Sequence, residues 1–190
     1  TGGFGTQTAA VAAGGITFPG TVGGQAEEYD GSTWTTGNAL GTARAYGSGS
    51  GILTAGVFFG GSATANPTSV GNTEEYDGTS WSEQTDLTDG RRLLGSGGRG
   101  TQTASLGFGG NSAPTAYWTA TEAYNGTSWT NVNSMNTGRN NLGSAGDQTS
   151  ALAFGGTTGS DSAATESWDG TNWSTSPATL ANARVSPPSI

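Results

Sequence analysis

Apolar residues come in short runs along the chain and never keep a helical period. In one representative unit, the small-residue stretch Gly47–Gly51 is followed by Leu53–Phe59, which closes on Gly60-Gly61. That run is too short for a helix and is bounded by glycine, so both stretches are predicted as strands. The polar segment Ser62–Asn72, with its proline, reads as a loop. Thr73–Tyr76 reads as a third strand, with Glu74 and Tyr76 two apart and so on one face. Asp77-Gly78 is a hairpin-turn signal, because glycine accepts the positive φ of tight reversed turns. Ser80–Glu83 returns as a fourth strand, and Gln84–Gly90 leads onward. Glycine interrupts every stretch that could otherwise become helical.

This unit repeats. Thr73–Trp81 recurs as Ala26–Trp34, Thr121–Trp129 and Thr165–Trp173. The common pattern is Glu, any residue, Tyr or Trp, Asp or Asn, Gly, Ser or Thr, any residue, Trp. A glycine pair closes an apolar run at Gly14–Gly15, Gly60–Gly61, Gly109–Gly110 and Gly155–Gly156, and an arginine follows each tryptophan at Arg44, Arg91, Arg139 and Arg184. Gly2–Gly5, Gly95–Gly100 and Gly143–Gly146 match the small first strand. Thr8–Ala13, Thr103–Phe108 and Thr149–Phe154 match the apolar second strand. Units of four short antiparallel strands at this period predict an all-β architecture, a β-propeller. The expectation is one domain over 1–190, with repeats at approximately 1–46, 47–94, 95–142 and 143–184. It forms either a closed four-bladed ring or an arc completed by a second copy or by flanking sequence. The tail 185–190 carries Pro187-Pro188, which suits a linker or clasp better than an inner strand.

Taken together, the apolar run with Gly-Gly, the Glu-x-Tyr-Asp, the Trp and the Arg resemble the kelch motif over nearly the whole chain. The resemblance implies a propeller scaffold without a reaction of its own, and no particular partner. One departure is that Asp77-Gly78-Thr79-Ser80-Trp81 is shorter than the usual kelch turn and lacks its proline. The wording Gly-Thr-Gln-Thr-Ala, Phe-Gly-Gly and Thr-Glu-x-Tyr-Asn-Gly-Thr-Ser-Trp is also similar to kelch-like repeat proteins of marine phages. That likeness implies a virion or tail-fibre component. The Asp box of sialidases wants one residue between Asp and Gly, and these repeats have none.

Composition narrows the function. Only 32% of the 190 residues are hydrophobic and 35 are glycine, values that alone suggest disorder. The repeats overrule that reading, because the apolar residues sit at fixed repeat positions. Net charge is −8, and all six basic residues are arginine. A nucleic-acid partner needs clustered cations, so none is expected. With no Cys and no His, the chain supplies no disulfide, no Cys/His zinc site and no histidine base. No cofactor or metal is expected. No apolar run reaches 18 residues, so no helical membrane span is expected. The chain opens on Thr1 and shows no signal peptide, which points to a segment of a longer or processed product.

Trp34, Trp81, Trp129 and Trp173, with Tyr29, Tyr76, Tyr124 and Trp168, could be ligand platforms. Their recurrence favours packing between blades, since large aromatics dominate so small a unit. Arg44, Arg91, Arg139 and Arg184, with Glu27, Glu74, Glu122 and Glu166, could form a substrate ring. Structural pairs that settle one blade against the next are favoured. Asp86, Asp89, Asp147 and Asp161 lie in different loops and form no recurring pair for glycoside hydrolysis. Gly47–Gly51 and Gly95–Gly100 lack the Lys and helix of a phosphate loop.

The loops Ile16–Gln25, Ser62–Asn72, Asn111–Ala120 and Thr157–Ala164 vary while the frame repeats, and binding usually lives on such loops. Phe18, Tyr117 and Trp118 are large aromatics there, outside the repeated positions, and are the expected ligand-binding residues. The expected function is a non-enzymatic recognition module of a viral or other extracellular surface. Its partners would be a host surface glycan or protein, or other virion proteins. A purely structural self-assembling unit is the alternative, and a glycan-active enzyme ranks third.

Overall fold

The computed structural model describes residues 1–64, 68–112 and 116–186. The strands form four antiparallel sheets, each a meander in chain order, and there is no helix among the described residues. Blade 1 consists of β1 (Gly2–Thr6), β2 (Ala9–Thr17), β3 (Thr21–Tyr29) and β4 (Trp34–Gly37). Blade 2 consists of β5 (Ser48–Ile52), β6 (Ala55–Phe59), β7 (Thr73–Tyr76) and β8 (Trp81–Gln84). Blade 3 consists of β9 (Gly95–Ser96), β10 (Ser105–Phe108), β11 (Thr121–Tyr124) and β12 (Trp129–Val132). Blade 4 consists of β13 (Gly143–Gly146), β14 (Ala151–Phe154), β15 (Thr165–Trp168) and β16 (Trp173–Thr175). The fold is a four-bladed β-propeller.

The first strand of each blade lies nearest the axis, where the side chains are small because neighbouring backbones nearly touch. Ser50 Oγ donates to the Gly97 carbonyl at 3.0 Å, and Ser96 Oγ donates to the Gly49 carbonyl at 3.1 Å. A side chain at Gly2 would put its Cβ 2.8 Å from the Gly47 carbonyl oxygen. Strand β9 is only two residues long, shorter than the predicted Gly95–Gly100, because Gly97–Thr101 turn away to bond one another and blade 4.

The glycine pairs have a clear physical cause. The first glycine of each pair adopts φ between 61° and 66°, a region that favours glycine. The second donates its N–H to the carbonyl of the repeat arginine: Gly15 to Arg44 at 3.0 Å, Gly61 to Arg91 at 2.8 Å, Gly110 to Arg139 at 2.9 Å and Gly156 to Arg184 at 2.9 Å. Two sequence markers are thus the two halves of one contact.

The Asp-Gly signal gives a longer turn than expected. Tyr76 pairs with Trp81, leaving four residues between the strands, and β8 starts at Trp81 rather than Ser80. Asp77 accepts the Thr79 and Ser80 N–H groups at 2.8 and 2.7 Å, so the aspartate shapes the turn together with Gly78 at φ 93°. A second difference lies in Ile16–Gln25. It is largely sheet, because β2 and β3 run on as a hairpin of two nine-residue strands with its tip at Phe18–Gly20. Parts of two other loops, 65–67 and 113–115, and the prolines of the tail at 187–188, lie outside the described residues.

Burial separates the inner pair of blades from the outer pair. In blades 2 and 3 the second strand is covered on both faces: Gly56–Phe59 and all of β10 are buried. In blade 4 the same strand alternates, with Ala151 and Ala153 buried and Leu152 exposed. Blade 1 alternates too, with Val11 and Ala13 buried and Ala10 and Ala12 half-buried. A sheet covered on both faces reads as a continuous apolar run, and one covered on a single face alternates.

Candidate functional site

The residues singled out by the repeats meet at the three joints between consecutive blades. Each joint has its own apolar cluster: Phe4, Val11 and Leu40 with Phe58 and Tyr76; Val57, Phe59 and Leu87 with Tyr124 and Trp129; and Leu106, Phe108 and Met135 with Trp168 and Trp173. Phe59 lies 4.6 Å from Trp129 between ring centroids, and Phe108 lies 4.8 Å from Trp173. Within each blade the third-strand aromatic stacks on the fourth-strand tryptophan, as Tyr124 does on Trp129 at 4.9 Å.

Each joint also carries one buried ion pair. Arg44 pairs with Glu74, Arg91 with Glu122 at 2.7 Å, and Arg139 with Glu166 at 2.5 Å, all six side chains essentially without solvent contact. The carboxylates also accept backbone N–H groups of the preceding blade: Gly41 on Glu74 at 2.7 Å, Thr88 on Glu122 at 2.8 Å and Asn136 on Glu166 at 2.7 Å. Burial pulls the Arg91 guanidinium below its ordinary range, opposed by the charges of Glu122 and Asp89. Arg44 also stacks over Phe58, 4.9 Å from the ring centroid.

Further polar contacts complete the joints. Trp129 Nε1 donates to Thr73 Oγ1 at 2.9 Å, and Trp173 Nε1 donates to Thr121 Oγ1 at 3.0 Å. Blade 1 has Ala26 at that position, and Trp81 donates to the Asn38 carbonyl at 2.9 Å instead. Tyr76 OH donates to Glu28, and Tyr124 OH donates to Glu75 at 3.0 Å. Burial, then the neighbouring carboxylates, push both phenols well above the ordinary tyrosine range. Burial also raises the Glu75 carboxyl, opposed by its bond from Tyr124. Gln102 and Gln148 reach back to carbonyls of the preceding blade.

The fourth member of every series is placed differently. Trp34 is 52% exposed, against 8% for Trp129 and 6% for Trp173. Glu27 and Arg184 are exposed, and among the described residues they form no ion pair. Packing between blades therefore does not extend to Trp34. Its ring rests on Tyr29, 5.2 Å away in its own blade, and among the described residues no ring of another blade packs on it.

The three aromatics expected to bind ligand are not brought together. Phe18 stands fully exposed at the tip of the blade 1 hairpin, with Ile16 two residues before it at 39% exposure. Trp118 is in blade 3, half-buried, with the Arg91 guanidinium 5.9 Å from its ring centroid. Its backbone N–H donates to Gly110 and its carbonyl accepts from Arg139, so it clips its loop to the frame. Tyr117 is half-buried, with its ring beside Gly159 of blade 4.

Many of the carboxylates have structural partners. Asp30, Asp77, Asp147 and Asp169 cap turns, and hydrogen bonds hold each below the ordinary carboxylate range. For Asp147 the Thr149 hydroxyl is the largest cause; for the other three it is a backbone N–H. Asp147 therefore sits at a β-hairpin turn, while Asp86, Asp89 and Asp161 lie in loops of the other face.

A feature absent from the sequence reading is a cleft of about 590 Å³ at the hairpin end of the axis. Gln7, Ile52, Arg99 and Thr101 line it. Arg99 falls outside the repeated arginine register, and that irregularity was the available signal.

No protein-family model matches the chain, and no curated protein matches it.

Proposed function

We propose that this propeller is a non-enzymatic recognition module that meets a glycan or protein surface through the loop face of blade 1. The observation that carries this reading is Phe18, fully exposed beside Ile16 on a hairpin longer than its counterparts in the other blades. A phenyl ring in that position contributes little to the core. Burying it against a partner would contribute roughly 1.5–3 kcal/mol. The kelch resemblance supports a scaffold role. The likeness to repeat proteins of marine phages supports a virion, tail-fibre or other extracellular surface as its place. The partner would be a host surface glycan or protein, or a neighbouring virion protein. The structural use of Asp30, Asp77, Asp147 and Asp169 in turns, and of Glu74, Glu122 and Glu166 in buried pairs, supports a non-catalytic reading.

The test is a glycan array and a panel of host surface proteins, probed with the wild type, Phe18→Ala and Arg99→Ala. Phe18→Ala should weaken binding about tenfold to a hundredfold, and Arg99→Ala should leave it unchanged. Binding that survives Phe18→Ala and is lost with Arg99→Ala would move the site to the axial cleft and overturn this reading.

A further inference from the structure

We propose that the bare face of blade 1 is a docking surface for the bare face of blade 4 on a second copy of this chain, joined head to tail. The three internal joints define what such a face needs, and the two ends of this chain carry the two complementary halves. A cleft of about 680 Å³ lies along Ala12, Trp34 and the inner-strand residues Ser48 and Ser96. A hollow of about 450 Å³ lies on blade 4 beside Leu152 and Ser167.

The match holds position by position. Phe59 packs on Trp129 and Phe108 on Trp173, so Phe154 is the ring that would pack on Trp34. The Trp129 and Trp173 indoles donate to Thr73 and Thr121. The next residue in that series is Thr165, which would receive the Trp34 N–H.

The phenol series discriminates further. A tyrosine hydroxyl occurs where the preceding blade offers an acceptor: Tyr76 faces Glu28, and Tyr124 faces Glu75. Where the preceding blade has Ala123, the following aromatic is Trp168, which donates within its own blade to the Gln148 carbonyl. Blade 4 offers Ser167, an acceptor, and blade 1 presents Tyr29, a phenol. Exposed Arg184 and Glu27 complete the set as the fourth ion pair. Gln7 would reach the Ala151 and Trp168 carbonyls, as Gln102 and Gln148 reach the carbonyls equivalent to them.

Among the described residues of one chain both halves are uncovered at once, so a second copy is the occupant that satisfies both. The contact uses different patches on the two partners. It therefore closes into a ring or continues as a filament, according to the rotation at each joint.

Native mass spectrometry across a dilution series tests this. The wild type should give multiples of 18.8 kDa. Glu27→Arg alone and Arg184→Glu alone should each weaken association roughly a hundredfold. Both side chains are exposed, so each variant should keep its fold. Mixing the two variants should restore association at one-to-one stoichiometry, because the two reversed charges are also opposite to each other. The first supplies a native Arg184 face and the second a native Glu27 face. Phe18→Ala should leave assembly unchanged, which separates this inference from the proposed binding role. A wild-type chain that stays monomeric at every concentration overturns it, whether Trp34 is covered by its own blade 4 or left bare. So does association indifferent to both charge reversals, or a mixture that fails to recover.

Discussion

Trp173 of the last blade donates its indole N–H to the Thr121 hydroxyl of the blade before it at 3.0 Å, with both residues buried. The bond links residues 52 positions apart in sequence, on two consecutive sheets, and lies beside the apolar cluster of their joint. Removing only one partner leaves the other unsatisfied and out of water.

A double-mutant cycle should show this coupling. Thr121→Val and Trp173→Phe should each lower unfolding stability, by about 1–3 kcal/mol for the unpaired group, with Trp173→Phe costing more through lost ring area. The double variant should be less destabilised than the sum of the two. Chemical denaturation of the four proteins measures it.

The Arg139–Glu166 pair supports a second prediction. Glu166 is buried, accepts the Asn136 N–H and binds the guanidinium at 2.5 Å. Glu166→Ala leaves an uncompensated cation in the joint and should cost about 3–5 kcal/mol. Glu27→Ala removes the same residue type at the same repeat position, but from solvent. In dilute monomer it should change stability by less than about 0.5 kcal/mol. Urea denaturation of both variants makes the comparison.

Acid should weaken the fold through its turns. Asp30, Asp77 and Asp169 accept backbone N–H groups and are held below the ordinary carboxylate range. A carboxyl depressed in the folded state contributes stability that is present above its unfolded pKa, and loses it as pH falls through the folded value. Stability should therefore be flat near neutrality and decline in acid. Blade 3 contains a natural control: Asn125 accepts the Thr127 and Ser128 N–H groups at 3.0 and 2.9 Å with no charge to titrate. Asp77→Asn should keep the turn and make the acid limb shallower, as read from unfolding curves at successive pH values.

The frame was legible because each marker has a local cause that recurs. Gly60-Gly61 and Arg91 could be read as a pair of signals since one binds the other in every unit, and Glu74 and Tyr76 could be placed on one face by spacing alone. Other features depend on neighbours that the repeat does not encode. Trp34 stands in the same repeat pattern as Trp129, yet one is exposed and the other buried, because among the described residues only the second packs against a ring of a neighbouring blade. Trp118 looked free as a loop aromatic, and the guanidinium that approaches it comes from Arg91, in an earlier blade. Ile16–Gln25 reads as a variable loop because it follows a glycine pair, while its pairing as a hairpin depends on the register of β2 with β3 across Pro19-Gly20. The axial cleft brings Gln7, Ile52 and Arg99 from three blades to one place, and along the chain only the off-register position of Arg99 hints at it.

The most direct test of the account is ¹⁹F NMR of protein labelled with 5-fluorotryptophan, assigned by single Trp→Phe variants and titrated with a soluble paramagnet at monomeric dilution. The Trp34 resonance should broaden strongly, while Trp129 and Trp173 should stay protected. Equal protection of Trp34, or broadening of Trp129 and Trp173 to match it, would contradict a propeller built on three wedged joints and one bare pair of faces.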